Sequence, residues 1–204
     1  MSGAFLRRVG EPVALSGPAI GLIETSSIAR GLVVADQMVK KSPVTLAFAR
    51  PVTPGKHIVI VTGEVAEVDE AMQIGLTTAA HTLVDRLFLP QAHAALLRAL
   101  GGGRRAAGMA SIGIVETFSV ASALLAADAA CKAAEVELAE LRLADGLGGK
   151  AYFIVSSTLD LVEAAVQAAE HVLDPGLLLT KEIIAAPHED LLEAVRRSRN
   201  GAAD

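Results

Sequence analysis

The sequence predicts an α+β protein built as two copies of one unit, and two observations carry that reading. The stretch Ile20-Gly21-Leu22-Ile23-Glu24-Thr25 returns as Ile112-Gly113-Ile114-Val115-Glu116-Thr117, and displacing the chain by 92 positions leaves 14 of the 32 pairs from Ala19/Ser111 to Arg50/Arg142 identical. Within each copy, apolar residues recur first in steps of two and then in steps of three or four, the signature of strands interleaved with helices. At 204 residues and 52% hydrophobic content the chain has enough apolar side chain for two compact cores.

Taken in order, residues 1–18 form an N-terminal extension rich in turn formers, with Gly3, Gly10, Pro12, Gly17 and Pro18. The first unit covers 19–100. A short apolar strand at 19–24 runs into Thr25, Ser26 and Ser27, whose side-chain oxygens suit a helix N-cap. The helix that follows reaches about residue 41, with Ile28, Leu32, Ala35 and Val39 as its expected buried stripe and Asp36 and Lys40 four apart on another face. Pro43 stops it.

Val44, Leu46 and Phe48 alternate with Thr45, Ala47 and Ala49, as a half-buried strand does, before the turn Pro51-Val52-Thr53-Pro54-Gly55. The strand at 58–61 returns. A second helix is expected from 65 to about 80, with Val68, Ala71, Met72, Leu76 and Ala79 inward and Glu67, Asp69 and Glu70 near its N-terminus, where the dipole favours acids. A strand at 83–89 and a short helix at 93–100 close the unit.

Residues 101–110 contain Gly101-Gly102-Gly103-Arg104-Arg105 and no periodicity, so a linker is expected there. The second unit, 111–197, repeats the order with strands at 111–116, 136–141, 152–155 and 177–184 and helices at 119–133, 159–172 and 189–197. Residues 198–204 are a tail. The offset rises from 92 to 94 after Arg142, so the turn at 144–149 is two residues longer than its counterpart. Each unit reads β-α-β-β-α-β plus a terminal helix, which is the ferredoxin-like order.

Composition narrows the function. Aromatic content is 3% with no Trp, so the interior is Ala, Val, Leu and Ile. No apolar run approaches the roughly 18–20 residues of a membrane helix. Residues 1–17 lack the apolar core of a secretory signal, and one cysteine forms no internal disulfide, which fits a reducing cytoplasm. Net charge is −5, without the basic stripe that nucleic-acid binding requires.

Candidate chemistry is sparse. The turn Gly146-Leu147-Gly148-Gly149 precedes a strand rather than a helix and matches no phosphate-binding motif, so a hairpin tip is the better reading. His57, His81, His93, His171 and His188 never pair at the i, i+4 spacing of a helical zinc site, so no metal is expected, and Cys131 reads as a small buried thiol. Glu24 and Glu116 end equivalent strands, which suggests a scaffold role such as accepting backbone N–H bonds. Asp36/Lys40 and Asp128/Lys132 recur in register, either as ordinary exposed helix pairs or as equivalent edges of a symmetric assembly.

The ordered set I-G-x-x-E-T, A-D-x-x-x-K, Val44-Thr45-Leu46, Gly55-Lys56, Gly63-Glu64-Val65 and Pro187-His188-Glu189-Asp190-Leu191 resembles the bacterial microcompartment shell domain, present twice. The resemblance spans nearly all of 19–197 and is closest to tandem-domain shell proteins. It implies a non-enzymatic tile without cofactor: a homotrimer imitating a hexamer, in the shell of a microcompartment in the bacterial cytoplasm. Implied partners are other shell proteins, hexameric and pentameric tiles among them, and small polar metabolites at a central pore. Neither nucleic acid nor membrane is a partner.

By the same resemblance, Thr53, Pro54 and Gly55 line the pore together with Asp145, Gly146, Leu147, Gly148 and Gly149. The Pro54 loop is expected to be stiff and the glycine-rich loop mobile, so that the longer loop sets the aperture. Lys40 and Lys132 match the edge lysine, and His93 and His188 lie at the tile edge. The arginine common before Pro-His is Ala186 here, and neither turn carries the cysteines that hold an iron–sulfur cluster in some relatives. Each half starts on its own first strand, so the order is unpermuted and a single-layer trimer is implied. The alternative function is a cytosolic ferredoxin-like module that binds or senses a ligand.

Overall fold

The computed structural model describes residues 15–102, 110–144 and 146–198. Most of the extension at 1–18, most of the linker at 101–110, nearly all of the tail at 198–204, and Asp145 lie outside those residues.

Each half is a four-stranded antiparallel sheet with two helices on one face. In the first half β1 (Ala19–Thr25), α1 (Ile28–Lys41), β2 (Thr45–Val52), β3 (Lys56–Gly63), α2 (Val65–Ala79), β4 (Leu83–Leu89) and α3 (Ala94–Leu100) follow one another. The second half has β5 (Ser111–Thr117), α4 (Val120–Ala133), β6 (Glu137–Leu143), β7 (Ala151–Ser157), α5 (Leu159–His171), β8 (Leu178–Ala185) and α6 (Glu189–Ser198). Strand orders are β2-β3-β1-β4 and β6-β7-β5-β8, the same ferredoxin-like arrangement twice.

Local chemistry sets the element ends. Ser27 caps α1 by accepting from Arg30 N at 3.2 Å, and Ser119 caps α4 by accepting from Ser122 N at 3.2 Å. Glu64 and Glu67 form a reciprocal capping box at the start of α2. In both halves the β1–β3 and β5–β7 registers are equivalent, with Glu24 opposite Ile58 and Glu116 opposite Tyr152.

Three sequence expectations need correction. On α1, Ala35 is buried, but Ile28, Leu32 and Val39 are 40%, 55% and 39% exposed; the face on the sheet is Gly31, Val34, Ala35 and Met38. The helix carries two apolar stripes, and its own sheet takes the other one. On β2, the register shifts between Leu46 and Phe48, which breaks the alternation and leaves Leu46 exposed. On α2, Gly75 is buried along with the expected Val68, Ala71, Met72 and Ala79, because Ile23 Cδ1 and Met38 pack directly over it, whereas Leu76 is only partly buried against the same core.

Alternation along each strand gives every sheet two faces. Ile23, Val59 and Val61 face α1 and α2, whereas Ile20, Leu22, Ile58 and Ile60 face away from them. That outer face of the first sheet is not left bare. Together with Leu96 and Leu100 of α3 it shares one core with Val120, Leu124 and Ala127 of α4, so the second half docks onto the first through α4. The corresponding outer face of the second sheet, Ile112, Ile114, Tyr152 and Ile154, packs with Ile184 of its edge strand and with Leu192 and Val195 of α6. Among the described residues, no helix is long and apolar enough to cross a membrane.

Candidate functional site

The β2–β3 and β6–β7 turns, from opposite halves, come together. A Cβ built on Gly149 would lie 3.5 Å from Thr53 O and 3.6 Å from Pro54 Cδ. Gly55, Gly146, Gly148 and Gly149 all have positive φ, from 63° to 91°, a backbone conformation that glycine adopts without the usual steric cost. Gly55 N donates to Val52 O at 2.9 Å and Lys150 N to Leu147 O at 3.2 Å, which closes each tip. Gly149 therefore meets Thr53 and Pro54 where the two halves come together, with Leu147 and Gly55 in the same two turns.

Behind each turn stands a lysine paired with the glutamate that ends the neighbouring strand. Lys56 Nζ lies 2.8 Å from Glu24 Oε1, and Lys150 Nζ lies 3.4 Å from Glu116 Oε1. The partner differs from the backbone N–H expected for the two glutamates: each is paired with a lysine ammonium, and Glu24 Oε2 has no hydrogen-bond partner among the described residues. The signal was present in the sequence, since a lysine follows each turn just as a glutamate ends each first strand.

The repeated helix pairs differ in surroundings. Lys40 Nζ and Asp36 Oδ2 are 2.7 Å apart, and both are solvent-exposed. Lys132 also pairs with Asp128, but Asp128 is buried and its Oδ1 accepts from His93 N at 2.7 Å. The second pair is thus no ordinary surface pair; it pins α3 of the first half to α4 of the second. His93 Nδ1 in turn accepts from Ala95 N at 3.3 Å, and His188 Nδ1 accepts from Asp190 N at 3.2 Å, so both histidines cap the helices they precede.

Burial sets the remaining ionisation. The Cys131 thiol, inside the junction between halves, is pushed up to about 12 by burial, then by the Asp128 carboxylate, against a smaller opposing effect of Arg98. Tyr152 is likewise raised to about 12, by burial and by donating its hydroxyl to Glu140 Oε1 at 2.8 Å. Neither group is poised for acid–base work near neutrality. Among the described residues, no cluster of three His, Cys, Asp or Glu side chains is placed to hold a metal ion.

The family described as BMC domain matches this chain twice, at residues 19–92 and 111–187. The chain belongs to the bacterial microcompartment shell protein family. Among relatives, this shell protein is 38% identical over 174 residues to the bacterial microcompartment shell protein PduT of Citrobacter freundii, which spans 85% of this chain and 95% of that one. It is 31% identical over 192 residues to the carboxysome assembly protein CcmO of a Synechocystis strain, covering 86% of the shell protein and 64% of CcmO. A crystal structure of a microcompartment protein from Desulfitobacterium hafniense DCB superposes with a TM-score of 0.82 at 40% identity, covering 86% of this chain and 98% of that one. These relatives are shell and assembly proteins rather than enzymes.

Proposed function

We propose that this shell protein forms a homotrimeric, pseudohexameric tile with a central pore, placed in the shell of a microcompartment inside the bacterial cytoplasm. The observation that carries the proposal is that the interface joining the two halves has both of its faces present a second time, unpaired. At the internal junction α4 buries Val120, Leu124, Asp128 and Cys131. Their counterparts 92 positions earlier are Ile28, Leu32, Asp36 and Val39, all exposed on α1. The surface that receives α4 is the outer face of the first sheet with α3, and its counterpart is the outer face of the second sheet with α6, where Leu191, in the place of the buried Leu96, is exposed.

An interface that repeats head to tail closes into a ring when its rotation permits. Two units per chain in a ring of six require three chains. Burying what remains exposed of Ile28, Leu32 and Val39 contributes on the order of 1 kcal/mol per side chain to closure. Asp36 then accepts from the backbone N–H of the preceding chain's His188, as Asp128 accepts from His93. Lys40 and Lys132, at the C-terminal ends of α1 and α4, stand with His93 and His188 at the tile edge toward neighbouring hexameric and pentameric tiles.

The loop tips Thr53-Pro54-Gly55 and Asp145-Gly146-Leu147-Gly148-Gly149 alternate around the central hole, where small polar metabolites pass. Asp145 takes this place from its sequence position. The longer loop sets the aperture. Negative-stain images of the purified protein test the tile: hexagon-like discs support it, and a monomer that binds a metabolite would overturn it. Passage of small anions and neutral solutes through reconstituted shells tests the aperture. Passage unchanged by bulkier residues at Leu147 would remove the second loop from it.

A further inference from the structure

Lys56 is connected to more than its own turn. Glu24 is 1% exposed, and one of its two oxygens has no partner among the described residues, so Lys56 supplies the ammonium that compensates this buried carboxylate. The same Nζ lies 4.0 Å from the position of a Cβ on Gly149. One side chain therefore joins the root of the first loop to the end of β1 and stands beside the end of the second loop.

We infer that Lys56 is a positioning residue that couples the two loops, and that Lys150 does the same for the first loop of the next chain. The second half shows the same device with its far contact missing. Glu116 and Lys150 stand in the equivalent places, but their separation is 3.4 Å and their side chains are 31% and 45% exposed. Gly55, the counterpart of Gly149, has φ 86° against 91° and nothing within 4 Å of its Cβ position. Among the described residues, none stands at Gly55 as Lys56 stands at Gly149. In the ring, Lys150 of the preceding chain fills it, and six lysine–glutamate pairs then link all six loops in a closed circuit. This extension to the neighbouring chain rests on the trimeric reading above; the coupling inside one chain does not.

Hydrogen exchange on the full chain tests the coupling. The double variant Glu24→Gln/Lys56→Met removes both charges while keeping side-chain size, so no buried charge is left alone. The expected result is exchange at 146–152, in the other half, faster by about fivefold, with α5 unchanged. Unchanged exchange at 146–152 in the folded variant would overturn the inference. A measurement on the unaltered protein stands beside it: acetic anhydride labelling of the amines in assembled rings and in an assembly-blocked Leu32→Asp chain. Lys150 is expected to label as slowly as Lys56 in rings and faster in the blocked chain. Rings in which Lys150 labels as fast as in the blocked chain would overturn the link between chains while leaving the tile intact. Failure of the unaltered chain to form rings would instead overturn the trimeric reading.

Discussion

Gly31 on α1 lies directly against His57 on β3: a Cβ at position 31 would stand 2.5 Å from His57 Cβ, Cγ and Nδ1. The two positions compensate one another. In the second half the same places, by register, hold Ala123 and Ala151, so a small strand residue there admits a methyl group on the helix. Gly31→Ala gains about 1 kcal/mol in helix propensity but forces the helix off its sheet, which costs about 1–3 kcal/mol and more where the neighbour cannot move. Urea unfolding is expected to show Gly31→Ala destabilised and Gly31→Ala/His57→Ala substantially recovered. Additive losses would show that the contact is not the cause.

His57 also makes stability depend on pH. It is fully buried with no hydrogen-bond partner at Nδ1 or Nε2 among the described residues, and burial lowers its pKa below the ordinary value of 6.5. The unfolded chain therefore binds a proton more readily than the folded one, and the contribution of this site to stability falls as pH drops through the unfolded value. Unfolding midpoints measured between pH 7.5 and 5 are expected to fall for the natural chain, and to fall less for His57→Gln. Parallel curves would place the pH dependence elsewhere.

Asp128 and Asp36 are the same residue in two settings, so their substitutions should separate. Asp128→Ala leaves the His93 N–H unpartnered at the junction and should cost about 1–3 kcal/mol in the folding of a single chain. Asp36→Ala removes an exposed helix pair and should cost about 0.5 kcal/mol or less. Its effect appears in assembly, as a higher concentration needed to hold chains together. Thermal unfolding of dilute protein, followed by sedimentation across a concentration series, checks both halves of this prediction.

Cys131 should be inert while the halves stay docked. With its thiol raised to about 12, the thiolate fraction at pH 8 is on the order of a thousandfold below that of an exposed cysteine. Iodoacetamide should therefore modify it at the rate of local or global opening. Fast modification of the native chain would mean that the junction opens readily.

Much of the fold was readable because the chain states it twice. Strand and helix positions follow from the repeat and its apolar periods, and all fourteen expected elements are present. Which face of α1 turns inward was not readable. Ile28, Leu32 and Val39 satisfy a helical period as well as Val34, Ala35 and Met38 do, and hydropathy does not distinguish a surface for the chain's own sheet from one for a second surface. The register shift at Leu46 to Phe48 left no mark in composition. The lysine–glutamate pairs were legible in principle, since Lys56 and Lys150 keep the spacing of Glu24 and Glu116 once the longer second turn is allowed for. The Gly31/His57 compensation required knowing that Thr25 pairs with His57 and Thr117 with Ala151.

The mass of the unaltered protein in dilute solution, by native mass spectrometry or light scattering, tests the repeated interface most directly. Three chains of 21.0 kDa give a particle of about 63 kDa, converted by Leu32→Asp to single chains that remain folded. A natural chain that stays at 21.0 kDa across the micromolar range, or a Leu32→Asp variant that still forms the larger particle, would contradict closure through α1.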